Sequence, residues 1–184
     1  ADVRFLRDAA PPGAAAVTVF SWNTERWEPD TGRLRTFLRE QDADLYHLQE
    51  HTDDAFRPLG ETADLPSLLD GYDLASSGEF VTLSRFPILS VRASPDGSFL
   101  RTDLLVGRER VTAYNVHMPV QLLPRLLPDP VRFLKDLRAR HARRLTAFRL
   151  LREDLRTATG SVFVSGDFNS TTAMGTMGPL IGTC

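Results

Sequence analysis

The chain has 184 residues, 42% of them hydrophobic and 25% charged, enough apolar content for the core of one globular domain. Its 22 basic and 24 acidic residues leave a formal net charge of -2, so no general field draws it to nucleic acid, although a local basic groove stays open. The single cysteine, Cys184, is the last residue, which excludes an internal disulfide and a cysteine-based metal site, and no apolar run reaches the roughly 18 residues of a membrane-spanning helix.

Residues 1–15 carry Pro11, Pro12, Gly13 and an alanine run, and read as an arm or linker into a domain over 16–184. The first residue is Ala1 and not Met, which suits a chain excised from a longer precursor. Ala16 to Trp22, with Val17, Val19 and Phe20, predicts a first strand that ends at Asn23. Asp30 and Thr31 are good N-caps for a helix over roughly Gly32 to Gln41, with Leu34, Phe37 and Leu38 as its apolar stripe. Asp44 to Leu48 predicts a short strand ending at Gln49-Glu50, and Leu65 to Leu69 a short helix. Glu79 to Leu83 and Ile88 to Val91 read as strands parted by Ser84-Arg85-Phe86-Pro87. Asp96-Gly97 is a hairpin signal, and Phe99 to Val106 and Arg110 to Val116 read as strands paired across a turn at Gly107-Arg108-Glu109.

Met118 to Pro130 is a proline-punctuated loop, followed by a long helix over roughly Val131 to Thr157 with Leu134, Leu137, Leu145, Phe148 and Leu155 as its expected buried stripe. Its basic residues, Arg132, Lys135, Arg138, Arg140, Arg143, Arg144, Arg149 and Arg152, read as a solvated outer face partly offset by Asp136, Glu153 and Asp154. The last strand, Val162 to Val164, is apolar enough to be expected at the centre of a sheet. Gly166 then lets the backbone turn or be approached closely, and Asp167 and Asn169, two apart, lean the same way. The order of elements predicts a layered α/β (α+β) fold with partly antiparallel sheets and helices outside.

Four strand ends carry polar residues that a plain surface turn does not need: Asn23, Gln49-Glu50, Asn115 leading to His117, and Asp167 with Asn169. Converging on one edge, they would supply hard oxygen ligands of the kind that suit Mg²⁺ or Mn²⁺ rather than zinc. Each also has an ordinary reading. Glu50 can be a solvated strand end, Asn23 a turn residue, His117 a structural histidine, and Asp167 to Asn169 an Asx turn. His47 and His51 flank Glu50, but they lack zinc-type spacing and read as structural.

Taken together, five blocks in order resemble the endonuclease/exonuclease/phosphatase (DNase I-like) superfamily: Phe20-Ser21-Trp22-Asn23; Asp44-Leu45-Tyr46-His47-Leu48-Gln49-Glu50; Val81-Thr82-Leu83-Ser84-Arg85-Phe86-Pro87-Ile88; Asn115-Val116-His117; and Gly166-Asp167-Phe168-Asn169. The resemblance implies a four-layered sandwich of two mostly antiparallel sheets flanked by helices, incomplete at the C-terminus. It implies a divalent-metal-dependent phosphoesterase acting on a phosphate ester or phosphodiester. Glu50 with Asn23 would hold Mg²⁺ (Mn²⁺ or Ca²⁺ as substitutes) and Asp167 would orient or deprotonate the attacking water. Asn169 would help hold that water, His117 would donate to a phosphate oxygen, Asn115 would support His117, and Arg101 is a candidate phosphate clamp. The superfamily's closing Ser-Asp-His block has no counterpart after Asn169. The expectation is therefore a domain lacking its C-terminal strands, with the 184 residues inactive or nearly so.

For the substrate, the apolar loop 118–130 beside the site has two readings: contact with a membrane, which slightly favours a lipid-type or membrane-associated phosphate, or leucines that cover the core or a further C-terminal part. A DNase-like endonuclease acting on nucleic acid, or a non-catalytic binding module on the same fold, are the alternatives. The Pro-Ala arm is similar to those of membrane-tethered bacterial members held outside the cytoplasm.

Overall fold

A computed structural model describes residues 16–25, 31–52, 69–120 and 129–170. Among the described residues, eight strands and two helices follow in chain order: β1 (Val19–Asn23), α1 (Thr31–Gln41), β2 (Leu45–Gln49), β3 (Asp73–Ser77), β4 (Phe80–Ser84), β5 (Ile88–Ala93), β6 (Phe99–Val106), β7 (Glu109–His117), α2 (Pro130–Leu155) and β8 (Ser161–Asp167). The strands form two four-stranded sheets, ordered β1-β2-β4-β3 and β5-β6-β7-β8. β1 runs parallel to β2 and β7 parallel to β8, while the other pairings are antiparallel.

Period-two alternation distributes each strand over two layers. On β2, Tyr46 and Leu48 face α1, where they pack with Leu34, Leu38, Val81 and Leu83. Leu45 faces the opposite sheet and meets Leu104, Ala113 and Phe163. On the second sheet, Phe99, Tyr114, Val116 and Val164 pack beneath α2 against Ala147, Phe148 and Leu151. The result is helix, sheet, sheet, helix, the four-layered sandwich that the resemblance implied.

The layer between the sheets is apolar at one end and polar at the other. Beyond Leu45 the inward residues of β2 are His47 and Gln49, both buried. His47 Nδ1 lies 2.6 Å from Ser165 Oγ of β8, and burial pushes its pKa down to about 3. Gln49 Nε2 donates to Asn115 Oδ1 at 2.7 Å, and Asn115 Nδ2 donates to the carbonyls of Leu48 and Val81 at 3.1 Å each. These bonds register one sheet on the other at the end where the site lies.

Three expectations need correction. The Asp73–Ser77 strand was missed, because Asp-Leu-Ala-Ser-Ser has little of the apolar, β-branched composition that marks strands. β8 lies at a sheet edge among the described residues, not at the centre. Its apolar character reports two covered faces, with Val164 under α2 and Phe163 against the other sheet, and says nothing about hydrogen-bonded edges. The stripe of α2 is also different. Leu134 and Leu145 are about half exposed, at 51% and 49%, and the buried residues are Arg144, Ala147, Phe148 and Leu151. That is helical spacing with an arginine in it, so a count of apolar residues shifted the face. Arg144 is correspondingly not part of a solvated surface. The caps at Asp30 and Thr31, residues 65–68 of the expected short helix, the 1–15 arm and residues 121–128 of the apolar loop lie outside the described residues or their described side chains.

Candidate active site

β1 and β2 are parallel, so Asn23 and Gln49-Glu50 leave the first sheet side by side. β7 and β8 are parallel, with His117 registered opposite Asp167, so the second sheet delivers its pair in the same way. The turn into β4 reaches the same edge, because His51 N donates to Glu79 O at 3.0 Å. The sandwich therefore gathers residues that are up to 144 positions apart in sequence.

Asn23 sits at the centre. Its Nδ2 donates to Glu50 Oε1 at 2.9 Å and to Asp167 Oδ2 at 3.1 Å, joining one carboxylate from each sheet. Its Oδ1 accepts from Glu25 N at 3.0 Å. Asp167 Oδ1 accepts from Asn169 N at 2.8 Å, and Asn169 Nδ2 donates to Met118 O at 2.9 Å. Glu50 and Asn169 both hold left-handed backbone, φ 52° and 45°, which is uncommon outside glycine and collects at functional sites.

His117 stands between two more carboxylate contacts. Its Nδ1 is 2.8 Å from Glu79 Oε1 and its Nε2 is 3.6 Å from Glu50 Oε1. Burial, the largest single influence, disfavours its charge. The Glu79 hydrogen bond and the charges of Glu79, Asp167 and Glu50 outweigh it and raise the pKa above the usual histidine value. A raised histidine contributes stability that is fully present below its unfolded value of about 6.5 and is lost as pH rises through the folded value. Glu79→Gln removes the principal partner, so the imidazole is expected to titrate at lower pH. An NMR titration of the ring protons in metal-free protein checks this, and an unchanged midpoint would contradict the assigned pair.

Of the expected site residues, the structure brings together Asn23, Glu50, His117, Asp167 and Asn169. Asn115 lies just behind them, fully buried, and acts on the site through the sheet-to-sheet bonds described above. Arg101 lies elsewhere. It sits under the C-terminal end of α2, bound to Asp103 at 3.1 Å, Asp154 at 3.0 Å and Thr157 at 3.0 Å, with its guanidinium over Tyr114. Those contacts consume its donors, so the phosphate-clamp role finds no support in its position. Glu79 was missed as a site residue, since a lone glutamate after a turn glycine carries no pattern that announces it.

Among the described residues no group of three or more His, Cys, Asp or Glu side chains is arranged to hold a metal ion. The chemistry of the cluster nevertheless suits a hard divalent cation. Two carboxylates converge on one amide, and among the described residues neither is bonded to an arginine or a lysine. Mg²⁺ binds through as few as one or two carboxylates and keeps several of its waters.

The sequence profile of the Endonuclease/Exonuclease/phosphatase family matches residues 20–178. Solved structures show the same architecture at low identity. TDP2 from Caenorhabditis elegans, in truncated form, is 18% identical with a TM-score of 0.55, covering 85% of this chain and 63% of that one. An AP endonuclease from Archaeoglobus fulgidus is 12% identical with a TM-score of 0.57, covering 84% and 58%. Sphingomyelinase C from Streptomyces griseocarneus is 15% identical with a TM-score of 0.53, covering 92% and 70%. This chain thus spans less than two thirds of the first two structures. A comparison with curated protein sequences finds no match.

Proposed function

The chain belongs to the Endonuclease/Exonuclease/phosphatase family, whose wider superfamily consists of hydrolases, and on that footing we propose that it is part of a divalent-cation-dependent phosphoesterase. The observation that carries this reading is the bridge at Asn23, which holds Glu50 of one sheet and Asp167 of the other at one point. Glu50 and Asp167 would hold the cation, with Asn23 beside them as the amide that draws the two carboxylates together, since its Nδ2 faces them and its Oδ1 accepts from Glu25 N. When bound, Mg²⁺ supplies positive charge that polarises a phosphate ester.

The protein's own groups do the rest. The Asp167 carboxylate orients the attacking water and accepts its proton. The Asn169 amide, held by Met118 O, keeps that segment fixed at the strand end. His117, oriented by Glu79, presents Nε2 to the same edge and donates to a phosphoryl oxygen as negative charge develops.

A lipid-type phosphodiester is the favoured substrate. The support is the Leu- and Pro-rich run 118–130, which leaves the strand that carries His117. Its described start opens with buried Met118 and reaches Val120, 37% exposed. The test is hydrolysis with Mg²⁺ by protein from the complete reading frame, comparing phospholipid and sphingomyelin vesicles with supercoiled plasmid. Vesicle turnover abolished by EDTA supports the reading. Plasmid nicking without vesicle turnover would favour a nuclease, and inactivity on both together with bis-p-nitrophenyl phosphate would leave a binding module.

A further inference from the structure

Arg144 is the largest fully buried side chain among the described residues, at 0% exposure. Its Nη1 donates to Pro119 O at 2.8 Å and its Nη2 to Phe168 O at 2.9 Å. The guanidinium lies 4.9 Å from the centre of the Phe148 ring, and Nε has no hydrogen-bond partner. Among the described residues no carboxylate is bonded to it. Burial, the larger influence, lowers its pKa, and the Asp167 charge opposes that shift. Burying a guanidinium is costly, and a Met or Leu would fill the same space without that cost.

The two carbonyls explain what the arginine accomplishes there. Pro119 lies two residues beyond His117, and Phe168 lies between Asp167 and Asn169. Arg144 therefore spans the two segments that leave β7 and β8 at the site. The same segments are joined by Met118 N to Asp167 O at 2.8 Å and by Asn169 Nδ2 to Met118 O at 2.9 Å. A planar guanidinium donates to both carbonyls at once, which a lysine ammonium on a flexible stem does not reproduce.

We propose that Arg144 is a positioning residue of this site, clamping Pro119 and Phe168 so that His117, Asp167 and Asn169 are held together and placing a fixed positive charge behind them. This inference rests on the phosphoesterase reading for its catalytic consequence, but its structural consequence stands apart from it.

Arg144→Met and Arg144→Lys, made in protein from the complete reading frame, are the variants that test it, each compared with wild type by amide hydrogen exchange, urea denaturation and kcat and KM on bis-p-nitrophenyl phosphate. In Arg144→Met, exchange at the Met118 and Asn169 amides is expected to accelerate by on the order of tenfold, while the Leu48 amide in the other sheet is unchanged. With the site loosened, kcat is expected to fall about 10²-fold per folded molecule with KM within a few-fold. Arg144→Lys should recover part of both effects, and it carries the test if the Met variant does not fold. Unchanged exchange at Met118 and Asn169, or uniform acceleration with kcat per folded molecule intact, would overturn the proposal. Wild-type protein from the complete reading frame without hydrolysis would sink the phosphoesterase reading instead, and the exchange pattern would still decide whether Arg144 orders the two segments.

Discussion

Gly166→Ala is expected to destabilise the protein by on the order of 4 kcal/mol, a large fraction of the stability of a domain this size. Two effects add. Gly166 has φ 137°, a conformation that L side chains rarely adopt, which costs about 1–3 kcal/mol. A Cβ there would also collide with the Val116 carbonyl oxygen and lie 2.7 Å from Val116 N, and relieving such a clash costs another 1–3 kcal/mol or so. The partner is backbone of the paired strand, so nothing flexible can move aside. This close approach of β8 to β7 also puts Asp167 opposite His117. Gly78→Ala is the control. Its φ is 57°, but nothing lies within 4 Å of an added Cβ, so only the backbone cost of about 1 kcal/mol applies. Urea denaturation of both variants checks the contrast, and equal midpoints would show that the Val116 contact is not what demands glycine.

Asp167→Asn is expected to lower phosphodiester hydrolysis by about 10²- to 10⁴-fold, the span usually assigned to a positioned acid or base. The side chain keeps its shape, so the loss comes from removing the charge and the proton acceptor. Asp103→Asn provides the comparison. Asp103 is a more buried carboxylate whose bonds run to Ser90, Arg101 and Thr112, beneath α2 and away from the strand ends. Burial opposes its ionised form, yet those hydrogen bonds hold its pKa below the ordinary value. Its replacement is expected to reduce stability and leave turnover per folded molecule intact. Steady-state kinetics beside denaturation curves separates the two, and similar turnover losses in both variants would remove the case for Asp167 as the reacting carboxylate.

Much of this was legible because the residues that matter sit at the ends of recognisable strands. The apolar runs before Asn23, Glu50, His117 and Asp167 mark four strands by their alternation, and the parallel pairs β1-β2 and β7-β8 bring those ends to one edge. What escaped was whatever depends on partners distant in sequence. Glu79 gains its meaning only when β4 places it beside His117. Arg144 looked like one more charge on a basic helix, until packing put it under two carbonyls instead of in water. Arg101 stood one strand away from the site in sequence terms, but alternation turned it towards α2 and the carboxylates there. β8 read as central because its faces are covered, whereas its edge position among the described residues is a matter of hydrogen bonding that side chains do not encode.

Glu50 and Asp167, drawn together by Asn23, are proposed to form one cation site across the two sheets. Titration of Mn²⁺ into the protein, followed by water-proton relaxation, measures this without requiring turnover. The expected result is a single Mn²⁺ site from which Mg²⁺ displaces the ion and which Glu50→Gln or Asp167→Asn each weakens by at least about tenfold, with Asp103→Asn unchanged. No saturable binding, or equal affinity in wild type and the two site variants, would contradict it.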